Sequence, residues 1–250
     1  MQELPVYSPD AQNRGRALSA QYSRFLEAEK KKPGRFKGAF EELRHRCIRE
    51  TLRLTGVRVS AEEVSKVLRE GHTSRSVNHD LIVGQKEALA IIEKAATTGS
   101  KLDSLLLCKV HRLSSPPSGG CFRRGPVQSQ FENVSPSRAR DISDKVNNLA
   151  DWLDSESVRG MQAPEKAALA FVRLLEIAPF ANGNFRSSHL ILNYFAFGGG
   201  YPPFFVDCED SEEFRRDIER AFKLETKHLV DRLAVAQMTS LQYCLEAATC

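Results

Sequence analysis

Apolar residues recur at three-and-four spacing in one segment after another, punctuated by Gly and Pro, and this pattern restricts the 250-residue chain to a bundle of helices. In residues 35–54 Phe36, Phe40, Leu43, Cys47 and Leu52 fall on one helical face. Ser60-Ala61-Glu62-Glu63 announces the next helix, with the Ser60 hydroxyl and the Glu63 carboxylate each satisfying the other's backbone N–H. Further helical runs cover residues 81–96 and 102–113, and Pro116-Pro117-Ser118-Gly119-Gly120 breaks the pattern. Ser135-Pro136 restarts a helix, serine as cap and proline in the first turn, which carries Ile142, Val146, Leu149, Trp152 and Leu153. The helix from Pro164 places Ala167, Ala168, Phe171, Leu174, Leu175 and Ala178 on one face and is apolar enough for the centre of the bundle. After a short loop, residues 184–197 form a helix that stops at Gly198-Gly199-Gly200, and two more helices follow Asp210. Residues 122–131 read as a short extended hairpin or flap, interrupted at Gly125-Pro126. The expected class is all-α, with residues 1–30 as a peripheral arm and 31–250 as a single domain.

Composition narrows the function classes. Thirty-six Lys and Arg against 32 Asp and Glu leave +4, too small an excess for nucleic-acid binding. No apolar stretch approaches the ~20 residues that span a bilayer, and Met1-Gln2-Glu3-Leu4-Pro5 lacks the features of a leader. A cytoplasmic protein is expected. The cysteines Cys47, Cys108, Cys121, Cys208, Cys244 and Cys250 form no C-x-x-C pair, so they indicate neither zinc nor redox chemistry and read as small apolar thiols. No metal is expected.

The most informative stretch is Ile177-Ala178-Pro179-Phe180-Ala181-Asn182-Gly183-Asn184-Phe185-Arg186-Ser187-Ser188-His189. One helix ends, a Gly-containing turn follows, and the free N–H groups of a second helix point out of the turn, a ready anion site to which Arg186 adds fixed charge. Each residue also has a plainer reading. Pro179 and Phe180 shape the turn, Gly183 supplies a permissive backbone, and Asn184 caps the helix. Arg186 contacts either a surface carboxylate or a ligand, and His189 is either structural or a proton-transfer group. His111 reads as core, as does the aromatic set Phe171, Phe180, Phe185 and Tyr194.

Pro179, Phe180, Gly183, Asn184 and Arg186 match in register the signature of the Fic (Fido) family, His-Pro-Phe-x-(Asp/Glu)-Gly-Asn-(Gly/Lys)-Arg-x-x-Arg. Similar residues continue outward, in Val110-His111-Arg112-Leu113, Cys121-Phe122-Arg123, Trp152-Leu153, Ala167-Ala168 and Gly200-Tyr201-Pro202-Pro203, so that the resemblance spans roughly residues 48–233. It implies a Fic-type helical bundle with a β-hairpin flap, and transfer of AMP from ATP to a target protein's hydroxyl. In the family the motif histidine is the general base and the acidic residue holds Mg²⁺. Here Ala178 and Asn182 stand at those positions, Phe185 replaces the small residue beside the phosphates, and His189 replaces the second arginine. Thr51-Leu52-Arg53-Leu54-Thr55-Gly56 resembles the family's inhibitory helix, with Thr55 in place of its glutamate.

These departures lead to the expectation of a degenerate member that has lost AMP transfer and uses its pocket, without a cofactor, for a non-nucleotide, mostly apolar small molecule, bound or cyclised there. Arg186, His189 and Asn184 are the catalytic candidates. Ala178, Phe180, Asn182, Gly183, Phe185, Thr55, Phe122 and Arg123 are the ligand-binding candidates. Two alternatives stay open: a pseudoenzyme that contacts proteins through the flap, and remaining nucleotidyl transfer.

Overall fold

The computed structural model describes residues 9–71, 76–117, 119–132 and 134–248. They form α1 (Pro9–Lys31), α2 (Lys37–Leu54), α3 (Ala61–Glu70), α4 (His79–Thr97), α5 (Ser104–Ser114), α6 (Ile142–Asp154), α7 (Glu156–Arg159), α8 (Ala163–Ile177), α9 (Asn184–Gly198), α10 (Ser211–Ala221) and α11 (Lys227–Ala247). Met1 to Pro5 and Cys250 lie outside the described residues.

α8 sits at the centre because most of its surface is apolar: Ala167, Ala168, Ala170, Phe171, Leu174, Leu175 and Ile177 are all buried, and only a narrow edge with Lys166, Arg173 and Glu176 reaches solvent. Its start is set by the Gln162 N–H donating to Glu165 Oε2 at 2.8 Å and by Pro164 in the first turn. α9 packs on it, α4 covers α9, and α6 and α11 flank α8. The main core joins Phe171, Phe180, Phe214, Leu107, Ile142 and Leu229. α1 lies along α11, with Leu18 and Phe25 buried beside Phe36, Leu43 and Leu241.

The end of α2 is anchored twice. Ile48 and Leu52 pack with Val64, Val67 and Ile82 of α3 and α4. The fully buried Glu50 carboxylate accepts from Arg49 at 2.5 Å, from Arg53 at 3.1 Å and from the Cys208 N–H at 3.0 Å, tying α2 to the chain beyond α9. Thr55, just past α2, is fixed by these contacts.

Three local expectations are corrected. Among the described residues there is no strand, and 121–132 runs as an irregular segment without a hairpin. Ser60 does accept from the Glu63 N–H at 3.1 Å, but the Glu63 carboxylate turns to Ser76 and Asn78, so the reciprocal half of the capping box is absent. Ser135-Pro136 does not open a helix. The α-helix starts at Ile142 after one 3₁₀ turn at Ala139–Asp141, because the Ser137 carbonyl is engaged by Arg123 and the chain there is held extended. No helix among the described residues is long and apolar enough to cross a membrane. Cys47 and Cys244 are buried, whereas Cys121 is exposed.

Candidate active site

The chain turns out of α8 at Ala178, whose φ of 45° and ψ of 64° lie in the left-handed region. For an alanine that conformation costs about 1 kcal/mol, so something must hold it. Arg123 does: its Nε donates to the Ala178 carbonyl at 2.7 Å, Nη2 to Ile177 at 3.3 Å and to Ser137, and Nη1 to Gly125 at 2.7 Å. This buried guanidinium also puts a positive charge at the C-terminal end of α8, where the orphan carbonyls favour it.

The loop beyond is braced from two sides. The Asn184 amide closes it, Oδ1 accepting from the Phe180 N–H at 2.9 Å and Nδ2 donating to the Phe180 carbonyl at 2.8 Å. His111 stacks on Phe180 with ring centroids 3.7 Å apart. The Gly120 N–H donates to His111 Nδ1 at 2.9 Å, so the proton lies on Nε2, which donates to the Asn182 carbonyl at 3.0 Å. Burial lowers the pKa of His111, opposed by that carbonyl and aided by the charge of Arg186. Gly183 must be glycine: its φ is 66°, and a Cβ there would stand 2.3 Å from Ser115 Oγ.

α9 begins at this point, and its first turn carries Phe185 and Arg186. Arg186 Nη1 donates to the Ser114 carbonyl at 3.0 Å and Nε lies 3.4 Å from Thr55 Oγ1, while Nη2 makes no hydrogen bond among the described residues. The half-buried guanidinium thus keeps one donor edge for a ligand. The Phe185 ring turns toward the core and meets Phe171 and Phe214 edge to face.

A cleft of about 360 Å³ lies between this loop and residues 127–131. Ala178, Asn182, Gly183, Asn184, Phe185, Arg186 and Thr55 all line it, together with Leu54, Leu175 and Ala181. Across from them stand Val127, Gln128, Ser129, Gln130 and Phe131, residues that carry no motif. The sequence signal for them is the reading of residues 122–131 as a flap through which proteins are contacted. The backbone of Val127 and Gln128 makes no hydrogen bond among the described residues.

Four candidates stand behind this surface. Phe180 is buried under His111, Phe122 packs against Phe180 at 5.7 Å, and Arg123 is committed to carbonyls. His189 is fully buried; its Nδ1 lies 2.9 Å from Thr51 Oγ1, its Nε2 has no partner, and burial lowers its pKa to about 4. The Thr51 hydroxyl donates to the Cys47 carbonyl at 2.7 Å, so it accepts the His189 Nδ1 proton. The metal implied by the resemblance does not fit the residues present. Hydroxyls, amides, one guanidinium and apolar groups line the cleft, and the described residues contain no cluster of His, Cys, Asp and Glu suited to an ion.

Residues 101–196 match the family model described as the Fic/DOC family. The match takes in well under half of the chain, which over those residues is similar to the Fic/DOC family. The chain is 24% identical over 204 residues to protein adenylyltransferase fic-1 of Caenorhabditis briggsae, covering 77% of this chain and 39% of that protein. It is 30% identical over 143 residues to protein adenylyltransferase Fic of Aedes aegypti, covering 54% of this chain and 28% of that protein. The chain therefore spans well under half the length of these curated relatives. Among solved structures, a Fic-1 fragment from Caenorhabditis elegans has a TM-score of 0.82 at 20% identity, covering 95% of this chain and 72% of that one. A Fic domain containing signaling protein from Bacteroides thetaiotaomicron reaches 0.84 at 19% identity, covering 93% and 97%. These two likenesses establish the Fic fold.

The expectation of lost AMP transfer and a pocket for an apolar small molecule is overturned. The curated relatives are named protein adenylyltransferases, and nothing among them points to a cyclase. The cleft itself is rich in hydroxyls and amides, including Thr55, Gln128, Ser129, Gln130, Asn182 and Asn184, which an apolar ligand would leave unpaired.

Proposed function

We propose that this Fic-like chain acts on a protein, transferring a nucleotidyl group from a nucleoside triphosphate to a hydroxyl of a segment laid along residues 127–131. The observation that carries the reading is that the start of α9 and the free edge of Arg186 open on the same cleft as the unbonded backbone of Val127 and Gln128. An anion is favoured at such a helix start, and an extended peptide adds to a free backbone edge. The relatives' names supply the reaction type.

In this reading the target hydroxyl oxygen attacks the α-phosphorus, the bond from that phosphorus to the bridging oxygen breaks, and pyrophosphate leaves. Arg186 Nη2 and the N–H groups at the head of α9 stabilise the added negative charge on the phosphoryl oxygens. The braces at Phe180, Asn182 and Ala178 hold these donors fixed before substrate arrives. No His, Asp or Glu lines the cleft, so the hydroxyl proton passes to a phosphate oxygen of the substrate. General base assistance contributes about 10²–10⁴-fold, and transfer is slower by that order than with a side-chain base.

The test is to incubate the chain with ATP and a soluble proteome and to search for proteins heavier by one AMP. Labelled proteins that disappear with Arg186→Ala support the reading; absence of both ATP binding and label removes it. A second reading, protein binding at 127–131 without transfer, draws on the missing side-chain base. It predicts stable partner capture with no label.

A further inference from the structure

A second cleft, of about 310 Å³, opens at the base of the same segment, between residues 123–127 and 136–139. Arg123, Arg124 and Arg138 line it, and no carboxylate does. Arg123 is spent on backbone carbonyls. Arg124 and Arg138 are exposed, and neither guanidinium has an ion pair or hydrogen bond among the described residues. Some surface arginines elsewhere are paired, as Arg173 is with Glu176 at 2.7 Å and Arg215 with Glu219 at 3.1 Å, and others, such as Arg24 and Arg69, stand free as these two do. Lys145 adds a further cation at the rim, its Nζ donating to Ser137 Oγ at 2.9 Å. The neighbouring Asp141 faces Arg140 at 3.5 Å and does not line the cleft.

Two features make this more than a solvated patch. The walls are preset, because one Arg123 side chain bonds the carbonyls of Gly125 on one wall, Ser137 on the other, and Ala178 on the floor of the transfer cleft. Val127 lines both clefts, so a chain seated along this segment runs from one into the other. We infer that Arg124 and Arg138 form a specificity site for a carboxylate side chain on the acceptor protein, positioned a few residues from the modified hydroxyl. An extended chain advances about 3.3 Å per residue, which spaces the two groups along it. Paired guanidiniums suit a carboxylate, which accepts two parallel N–H bonds from each. The inference rests on the proposed action on a protein target.

The experiment is selection of peptides from a random library displayed against the immobilised full chain. Enriched peptides should carry Asp or Glu at one fixed spacing from Ser, Thr or Tyr. Replacing that acid by its amide should weaken binding about tenfold at low salt and less at high salt. In the Arg124→Glu/Arg138→Glu variant, checked for an unchanged melting temperature, the acidic preference should vanish or invert to Lys and Arg. An unbiased library, no enrichment, or a preference unmoved by the charge reversal overturns the inference. So does tighter retention of single-stranded RNA than of any selected peptide, or full displacement of the peptide by millimolar inorganic phosphate. Adding ATP separates the two claims. Acidic peptides that bind but acquire no AMP count against transfer alone, whereas AMP found only on segments lacking acids counts against the specificity site alone.

Discussion

The two walls of the cleft are held in opposite ways. On the floor, from Ala178 to Arg186, nearly every backbone turn is answered by a side chain: Arg123 on 177 and 178, Asn184 on 180, His111 on 182. The facing segment is pinned only at its ends. Arg123 grips Gly125, while at the other end Arg215 donates to the Gln130 carbonyl at 2.7 Å and lies 5.1 Å from the centre of the Phe131 ring, which also meets Phe222. Its middle makes no backbone bond. A surface that must present donors at fixed positions is overbraced, and one that must receive a polypeptide edge leaves its own edge free.

The largest effects should come from breaking the floor. Arg123→Ala strips donors from buried carbonyls, and bonds to a charged donor contribute about 1.5–3 kcal/mol each, so the variant should lose on the order of 3 kcal/mol in chemical denaturation. Lysine, which lacks the planar fork, should not rescue it. If Arg123→Ala melts like the parent chain, the two walls do not differ as described.

A comparable effect should follow from acid. His189 is held at a pKa of about 4, against an ordinary value of about 6.5. Between those values the unfolded chain binds a proton that the folded chain refuses, so stability is complete above about pH 6.5 and declines as pH falls toward 4. The loss should be on the order of 3 kcal/mol. His189→Phe should flatten this part of the stability profile; an unchanged slope would mean that the imidazole is not the group concerned.

Asn184→Ala should cost roughly 2 kcal/mol by orphaning the Phe180 N–H and carbonyl, and should reduce transfer by loosening the loop while the peptide preference of residues 124–138 stays intact. A smaller expected effect is a gain. Ala178→Gly removes the left-handed penalty and should stabilise the chain by about 1 kcal/mol less the added freedom of glycine when unfolded. Substitutions at Gln128 should leave the unfolding free energy within about 0.5 kcal/mol of the parent, since this exposed residue holds nothing in place.

Much of the floor was legible in the sequence. The apolar face of residues 164–178 and the glycine stop at 198–200 specify α8 and α9 because helical period and caps are local properties. The turn between them, with Gly183 at positive φ and Arg186 on the first helical turn, follows from the same stretch. The facing wall was not legible as built. A hairpin requires two strands that bond each other, and Arg123 instead spends the local carbonyls of Gly125 and Ser137 on a clamp to α8, a tertiary contact 55 residues away along the chain. Asn184 and His189 illustrate the other blind spot. Residue type suggested chemistry, but which way an amide or imidazole turns depends on partners, Phe180 for one and Thr51 for the other, that spacing does not reveal.

Covalent transfer to protein is the claim on which the rest depends, and intact-mass measurement of target proteins after incubation with ATP tests it most directly. The wild-type chain should add one AMP per modified hydroxyl, slowly, and Arg186→Ala should reduce that rate by about 10²-fold or more. Partner proteins that bind residues 124–138 yet emerge with unchanged mass would contradict it.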